Sequence, residues 1–296
     1  NVLACFIAEL VADLKYEIGY LISKGGITTN LILSKGFNAD YVYPRTTNKI
    51  LEQYLKDKGI SASDIFVNYT PFGHSDWSKI VSDVVALGAD GKKVGVISTI
   101  NGDANIGFYK ELAAANISAD KIPVVAFSVG EEELSGLDTS NLVGHLAAWN
   151  YFQSAESDIN SEFIKAWKAR MGNKRVTNDP MEAHYIGFNM WVNAVKQAGT
   201  TNVDAVRTAM YGQKFPNLTG GTAEMLTNHH LSKPVLIGEI KADGQFDIIS
   251  QTEPVPGDAW TDFLAESAVL KSDWKGLGCG MYNTNTKTCI QLKSNY

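Results

Sequence analysis

The stretch from Lys93 to Glu133 constrains the fold of this chain more than any other. Two apolar runs, Val94–Ile100 and Pro123–Phe127, each end in a polar loop, and a helical segment, Phe108–Ala115, lies between them. Continuous β-branched runs that alternate with helices are typical of parallel strands covered on both faces. In open α/β sheets, ligands bind beyond the carboxyl ends of such strands. We therefore predict that the two loops lie side by side at one sheet edge and form a ligand site.

The two loops themselves, Asn101–Asn105 and Ser128–Glu133, also allow a plainer interpretation. They could be ordinary strand-to-helix connections in which Asp103 and the Glu131–Glu133 run cap helices. Adjacent glutamates are typical of a solvated helix start, so the run does not indicate a catalytic pair of carboxylates. The pattern alone leaves both interpretations open.

Charge and hydropathy exclude several classes of partner. The net charge is -6 and the pI is near 5.4, and no Lys/Arg cluster interrupts this acidity, so we expect no nucleic-acid partner. No apolar run approaches the ~20 residues of a membrane span. The chain begins at Asn1 without a basic and apolar leader. We expect either that a targeting segment has been removed or that the chain is incomplete at its front.

Two of the three cysteines bracket a short, turn-rich segment near the end of the chain. Cys279 and Cys289 enclose the sequence GMYNTNTKT, which favours a disulfide and hence an oxidising compartment. The alternative is a pair of free surface thiols in a cytoplasmic protein. There is no CxxC motif and no cysteine–histidine cluster with metal-ligand spacing, so no metal site is expected.

The chain shows no constellation of catalytic residues. His74 precedes Ser75 and Asp76, but triad geometry is assembled across a fold and rarely by sequence neighbours. His229 and His230 would point to opposite faces of a strand and are interpreted as loop residues. No GxSxG elbow and no glycine-rich phosphate loop is present. We therefore expect neither catalysis nor a cofactor.

The presumed strand ends do carry aromatic and neutral polar side chains: Tyr41, Tyr43, Asn101, Ser128, Trp149 and Tyr151. Tyrosines supply flat walls and a hydroxyl group, and amides supply paired donors and acceptors. This combination favours a small, neutral, hydrogen-bonding ligand. For Tyr41 and Trp149, packing in the core is the alternative.

Two later segments have well-marked boundaries. A helix is predicted over Asp179–Ala198, with Asp179 as N-cap, Pro180 in the first turn and Glu182 completing a capping box. Its apolar face is predicted from three- and four-residue spacing: Met181, Tyr185, Phe188, Val192 and Val195. A β-hairpin is predicted over Pro234–Ile249, with an Asp243-Gly244 turn.

Several long blocks resemble a known family. These are ADYVYPRTTNKIL, YTPFGHSDW, VISTINGDANIGFYKEL, PVVAFSVGEEELSGLDTSNLVGHLAAWNYF, KRVTNDPMEAHYIGFNMWVNAVKQAGTTNVD and NHHLSKPVLIGEIKADGQFDI. They look like the urea-binding proteins of bacterial urea ABC transporters, within the branched-chain amino-acid/amide class of periplasmic binding proteins. They are also similar to the cytoplasmic amide sensors of amidase operons. The resemblance covers residues 39–285.

The resemblance implies an α/β, type I periplasmic-binding-protein fold of two Rossmann-like lobes with a hinge, which closes on urea or a short amide. The implied domains are a second lobe over 39–148, a return to the first lobe over 149–205, a return to the second over 206–255, and a C-terminal tail over 256–296. Residues 1–38 do not match the family's first lobe and are expected to be an atypical remnant of it.

The resemblance also implies ligand-binding residues, a partner and a compartment. Tyr41 and Tyr43 lie in the block that places tyrosines against the ligand in related proteins, and the loops after the two strands carry over the remaining candidates: Asn101, Asp103, Ser128 and Glu131. The implied partner is a membrane permease, through which alone the protein would meet the membrane, in the periplasm or cell envelope. The alternatives are an amide-sensing regulatory protein and an envelope assembly protein built on the same fold.

Overall fold

The computed structural model describes residues 45–70, 73–89, 91, 93–257, 281–283 and 288–290. The predictions made for residues 1–38, for Tyr41 and Tyr43, and for Cys279 fall outside the described residues, and of Cys289 only its place in a strand is described. The chain divides into two compact units, one formed by Asn1–His74 with Trp260–Tyr296 and the other by Ser75–Ala259.

The α-helices of the described residues are numbered in chain order: α1 Arg45–Asp57, α2 Ser78–Gly88, α3 Ala104–Ala114, α4 Glu131–Leu134, α5 Asp158–Met171, α6 Asp179–Ala198 and α7 Val203–Met210. Short 3₁₀ turns lie at Ala62–Asp64 and Ser140–Leu142. The strands are β1 Asn68–Tyr69, β2 Val96–Ser98, β3 Val124–Ala126, β4 Leu146–Trp149, β5 Lys214–Pro216, β6 Thr222–Met225, β7 Leu231–Lys233, β8 Leu236–Ile240, β9 Phe246–Gln251, β10 Val255–Pro256, β11 Met281–Asn283 and β12 Thr288–Ile290.

The described part of the first unit is small. Helix α1 ends before Gly59, whose φ of +87° is the left-handed conformation that glycine adopts without strain. Strands β1, β11 and β12 form a three-stranded antiparallel sheet in which β11 is central.

The second unit contains a mixed sheet in which five described strands follow the order β2-β3-β4-β8-β9. Strands β2, β3 and β4 are parallel, and β8 and β9 continue the sheet antiparallel. The prediction of parallel strands joined by a helix is confirmed. The strands are shorter than the apolar runs that predicted them, partly because Pro123 has no backbone N–H and only its carbonyl, which accepts from Val96 N at 2.8 Å, takes part in pairing.

The hydrophobic core of this unit lies between the sheet and its covering helices. On one face, Trp77 packs edge-on against Phe108, with 5.3 Å between ring centroids, and Phe108 packs against Tyr109 at 5.6 Å. The buried members of the core are Trp77, Val81, Phe108, Tyr109, Leu112, Ile117, Ile122, Val124, Ala126, Val129, Leu134, Leu142, Ala147, Phe152, Ala155, Leu236, Ile240 and Phe246. Helix α3 begins at Ala104, one turn earlier than predicted, so it starts directly after the polar loop.

The predicted hairpin is confirmed as β8–β9. Gly244 has φ of +75°, and the Asp243 carboxylate accepts from Gln245 N at 3.0 Å, so the turn uses the residues that such a turn favours. On β8, a Cβ added at Gly238 would lie 2.9 Å from a ring atom of Phe246 and 3.2 Å from one of Phe152. Only glycine at this position therefore leaves room for the two phenylalanine rings, whose centroids lie 4.5 Å apart with the ring planes tilted by 35°.

The remaining described strands of the unit form an antiparallel sheet in the order β10-β7-β6-β5. Helix α6 packs against it through Ile186 and Met190, which contact Ala223. At this junction the Lys233 ammonium group forms a buried ion pair with the Glu182 carboxylate.

The predicted capping and apolar face of helix α6 are wrong in two respects. The N-cap is Asn178, whose side chain accepts from Met181 N at 3.2 Å, so Asp179 is the first helical residue. The buried residues recur every four positions: Glu182, Ile186, Met190 and Ala194. Tyr185 and Phe188 are instead 39% and 63% exposed. The hydrophobic pattern predicted the wrong face because the buried face includes two residues that are not large and apolar. These are Glu182, whose charge is neutralised by Lys233, and the small Ala194.

Candidate functional site

The loops that follow β2 and β3 meet at the carboxyl ends of these parallel strands, which we call the carboxyl edge of the five-stranded sheet. The side chain of Asn105 connects the two loops. This side chain is fully buried in the first turn of α3. Its Nδ2 donates to the carbonyls of Ile100 at 3.0 Å and Gly102 at 3.2 Å in the first loop, and to the carbonyl of Ser128 at 3.2 Å in the second. The prediction that the two polar loops lie side by side is thereby confirmed.

The sequence-predicted residues of these loops differ in exposure. Asn101 and Ser128 are half-buried, and Asp103 is exposed at the N-cap position of α3, where its side chain makes no capping bond. Ser128 contributes its carbonyl to the bond from Asn105. The ligand-binding roles of all three residues stay predictions.

Glu131 is the residue for which the structure departs most from expectation. A solvated helix start was expected, but Glu131, the first residue of α4, is only 1% exposed. Its Oε1 accepts from the backbone N of Ser154 at 2.9 Å and from Ser154 Oγ at 2.8 Å. Its Oε2 is buried and has no hydrogen-bond partner among the described residues. Burial raises the pKa of this carboxyl, although the hydrogen bonds from Ser154 and from the backbone of Gln153 and of Glu131 itself act in the opposite direction.

The other two glutamates of the run contact a different segment of the chain. Glu132 forms an ion pair with Arg175 at 3.1 Å. Glu133 accepts from Gly130 N at 2.9 Å and from Asn178 Nδ2 at 3.4 Å, and burial raises its pKa. The capping interpretation of the run is therefore partly correct, since Glu133 does satisfy an N-terminal amide of α4.

Tyr151, one of the aromatic side chains singled out from the sequence, belongs to a buried polar network. Its hydroxyl donates to Asn160 Oδ1 at 2.8 Å and lies 2.8 Å from Thr177 Oγ1. Gln153 extends this network by accepting from Thr177 N at 2.9 Å and donating to Gln245 Oε1 at 3.0 Å. Burial, with a smaller contribution from the charge of Glu131, raises the pKa of the Tyr151 phenol. Tyr151 thus stabilises the loop after β4 through buried hydrogen bonds.

Trp149, the other aromatic side chain at the end of β4, is half-buried and packs on Gly130. A Cβ at Gly130 would lie 3.3 Å from Trp149 Cζ3. The loop after β3 therefore approaches the indole ring closely because residue 130 has no side chain.

Sequence reasoning missed Asn105 and Ser154. Asn105 was included only as the last residue of a polar loop, and its position in the first turn of the helix after a Gly-Asp pair was the available signal. Nothing local marks Ser154, because its partners Glu131 and Phe246 are distant in sequence.

Other features of the described residues bear on function. His229 and His230 lie in the loop between β6 and β7, as predicted. Within the described ranges, no group of three or more His, Cys, Asp or Glu residues could hold a metal ion. No helix in the part of the chain that the structure describes is long and apolar enough to cross a bilayer.

The fold and the polar sheet edge define a type I periplasmic-binding-protein architecture. The family model described as "Periplasmic binding protein domain" matches residues 16–266, which is most of the chain. The chain therefore belongs to this family.

Solved structures agree with this fold. A branched-chain amino acid ABC transporter periplasmic ligand-binding protein from Burkholderia xenovorans is similar with a TM-score of 0.56 and 17% identity, over 85% of this chain and 74% of that one. A solute-binding protein of an ABC transporter from Rhodopseudomonas palustris, in complex with 3,4-dihydroxybenzoic acid, has a TM-score of 0.55 and 18% identity, over 63% of this chain and 51% of that one. At these identities the likeness concerns the fold alone.

One curated protein is also similar in sequence. It bears the name limonene hydroxylase, comes from Geobacillus stearothermophilus, and is 33% identical over 134 residues. The match covers 45% of this chain and 24% of that protein, so the chain spans about a quarter of this relative and about half of the Rhodopseudomonas protein.

Proposed function

We propose that this protein is the solute-binding component of an ABC transporter, which captures urea or a short-chain amide and delivers it to a membrane permease. Its place of action would be the periplasm or cell envelope. Membership of the periplasmic binding protein family supports the transport role. The observation that carries the site is the joining of two polar loops by Asn105 at the carboxyl edge of parallel strands.

The chemistry of this edge suits an uncharged ligand with N–H groups. Urea presents one carbonyl acceptor and four N–H donors, and a dry site must match each of them because an unpaired buried polar group costs ~1–3 kcal/mol. Asn101 and Ser128 supply neutral polar groups, and Glu131 supplies a carboxylate oxygen that lacks a partner among the described residues. Tyr41 and Tyr43 are proposed to cover the flat faces of the ligand, with a hydroxyl reaching its carbonyl.

We propose no catalytic activity for the protein. The name limonene hydroxylase belongs to a relative of which only 24% is matched by this chain. A match of that extent does not support a hydroxylase activity for this protein. The proposed mechanism is reversible capture, which requires polar complementarity and no reacting group.

Calorimetric titration of the intact protein with urea, acetamide, formamide and leucine tests this function. We expect saturable urea binding at micromolar or tighter affinity and no binding of leucine, whose zwitterion needs charged partners for both ends. If urea, acetamide and formamide all fail to bind, the proposal is contradicted.

The assigned residues are tested in the same assay. Tyr43→Ala, Asn101→Ala and Asp103→Ala are expected to weaken urea binding about tenfold or more, as loss of a buried hydrogen bond or wall does. Lys79→Ala is the matched control, since Lys79 is exposed on α2, where it pairs with Asp83. Unchanged affinity in a variant would remove that residue from the site.

A further inference from the structure

We propose that Ser154 is a positioning residue that holds Glu131 as a ligand acceptor, and that capture of an N–H-bearing ligand displaces a proton from Glu131. This inference rests on the function proposed above and deepens it. Ser154 was not among the residues predicted for the site, and the hydrogen bonding of the Glu131 carboxylate indicates the class of ligand.

The geometry around Ser154 carries the first part of the proposal. Both its backbone N, at 2.9 Å, and its Oγ, at 2.8 Å, donate to the same oxygen of Glu131. The same Oγ accepts from Phe246 N at 2.9 Å. A hydroxyl can donate and accept at once, so Ser154 fixes Glu131 on α4 against the first residue of strand β9. Through Ser154, the carboxylate is thereby connected both to the turn after β4 and to the backbone of β9.

The second part follows from the oxygen that Ser154 does not use. Glu131 Oε2 is buried, and it has no partner in the part of the chain that the structure describes. An ionised carboxylate oxygen buried without a donor is costly. The cost is removed in either of two ways, by a proton on the carboxyl or by an N–H donor from a bound ligand.

Burial favours the protonated form of Glu131 when no ligand is present. On its own helix, burial also raises the pKa of the half-buried Glu133, and Glu132 pairs with Arg175. In the loop after β4, Tyr151 is a neutral phenol whose pKa is raised.

The elements behind this loop add no net positive charge. Helix α6 contributes Glu182, which pairs with Lys233 of β7. The start of β9 contributes the uncharged Gln245 and Phe246. No cation of these elements offsets burial, which raises the pKa of Glu131 above its ordinary value.

Proton balance then defines the ligand class. The neutral carboxylic acid loses its proton to the buffer, and the carboxylate Oε2 accepts a hydrogen bond from a ligand N–H. An amide or ureido ligand provides this donor without adding charge. A ligand that presents a carboxylate at this point would face Glu131 as a like charge and would be disfavoured.

Urea affinity measured by calorimetry as a function of pH tests the coupling. We expect the association constant to rise by up to about tenfold per pH unit below the pKa of Glu131 and to level off above it. In the rising range, the observed heat should change with the ionisation enthalpy of the buffer, because protons are released. Glu131→Gln should flatten the profile, whereas Glu132→Gln, a matched change one residue along, should retain it.

Ser154 variants separate positioning from a merely structural role. Ser154→Ala removes a hydrogen bond that stabilises the ionised carboxylate, so the midpoint of the profile should move upward by about one pH unit. Ser154→Thr keeps the hydroxyl and should restore the original midpoint. If Ser154→Ala lowers the melting temperature but leaves the midpoint unchanged, the positioning role is overturned.

The outcomes distinguish this inference from the function on which it rests. Urea binding by the wild-type protein that is independent of pH would overturn the proton displacement and leave the transport function standing. Failure of the wild-type protein to bind urea, acetamide and formamide at every pH would overturn both.

Discussion

A buried ionisable side chain lies at each end of the parallel strands, His145 at the amino ends and Glu131 at the carboxyl ends, and the two are hydrogen-bonded differently. At the amino edge, His145 Nδ1 accepts from Val124 N at 3.1 Å, so the proton lies on Nε2, which donates to the carbonyl of Ile117 at 3.2 Å. At the carboxyl edge, Glu131 has two donors on one oxygen and, among the described residues, none on the other. A buried side chain whose polar atoms all have hydrogen-bond partners stabilises the fold. A buried side chain with an unpartnered polar atom can still form a hydrogen bond with a ligand.

The largest loss of stability is expected where a buried charge pair is broken. Lys233→Met removes the ammonium group from beside the buried carboxylate of Glu182, and such losses typically cost about 3–5 kcal/mol. Denaturation by guanidinium chloride, which avoids urea as a proposed ligand, measures the change. Lys241→Met is the control, since the Lys241–Asp243 pair is exposed and should change stability by less than about 1 kcal/mol.

At the amino edge, His145→Leu should destabilise the protein without affecting the ligand. The variant removes the acceptor for Val124 N–H and the donor to the Ile117 carbonyl. Because each buried polar group left unpaired costs ~1–3 kcal/mol, we expect the free energy of unfolding to fall by about 2–4 kcal/mol. Urea affinity should stay within about twofold of wild type. A variant that lost urea affinity while keeping its stability would contradict the assignment of the two edges.

The pH dependence of stability should have opposite signs at the two edges. Burial lowers the pKa of His145, so the unfolded chain binds the proton more readily, and the contribution of His145 is complete above about pH 6.5 and lost as the pH falls below it. Burial raises the pKa of Glu131, so its contribution is complete below about pH 4.5 and lost as the pH rises through the folded-state value.

Guanidinium denaturation over a range of pH, at constant ionic strength and without ligand, separates these contributions. His145→Leu should abolish the rise of stability with pH, and Glu131→Gln should abolish the fall. If both variants kept the wild-type profile, neither group would be the source of its pH dependence.

The smallest change in stability is expected from Glu131→Gln itself. The amide oxygen can keep the bonds from Ser154, and the substitution removes a buried ionisable group whose second oxygen lacks a partner among the described residues. At neutral pH we expect a change of less than about 1 kcal/mol, or a slight gain. A loss as large as that of His145→Leu would show that Glu131 is a completed structural group like the histidine.

Some parts of the fold followed directly from local sequence. The parallel strands, the hairpin and the ends of helix α6 were predictable to within a residue or two, because β-branched runs, an Asp-Gly turn and a Pro-containing first turn act within a few residues. The buried face of α6 was not predictable, since Glu182 is buried only because Lys233 is brought to it by strand β7.

The sequence by itself determined which residue types end the parallel strands, and it thereby determined that the candidate site lies at the carboxyl edge. Asn101, Ser128 and Glu131 could all be named from their positions after apolar runs. Only the tertiary structure decided that Glu131 is buried, that Asn105 joins the loops and that Ser154 holds the carboxylate. The physical reason is that desolvation and hydrogen bonding of a side chain depend on groups supplied by distant parts of the chain, which no local pattern records.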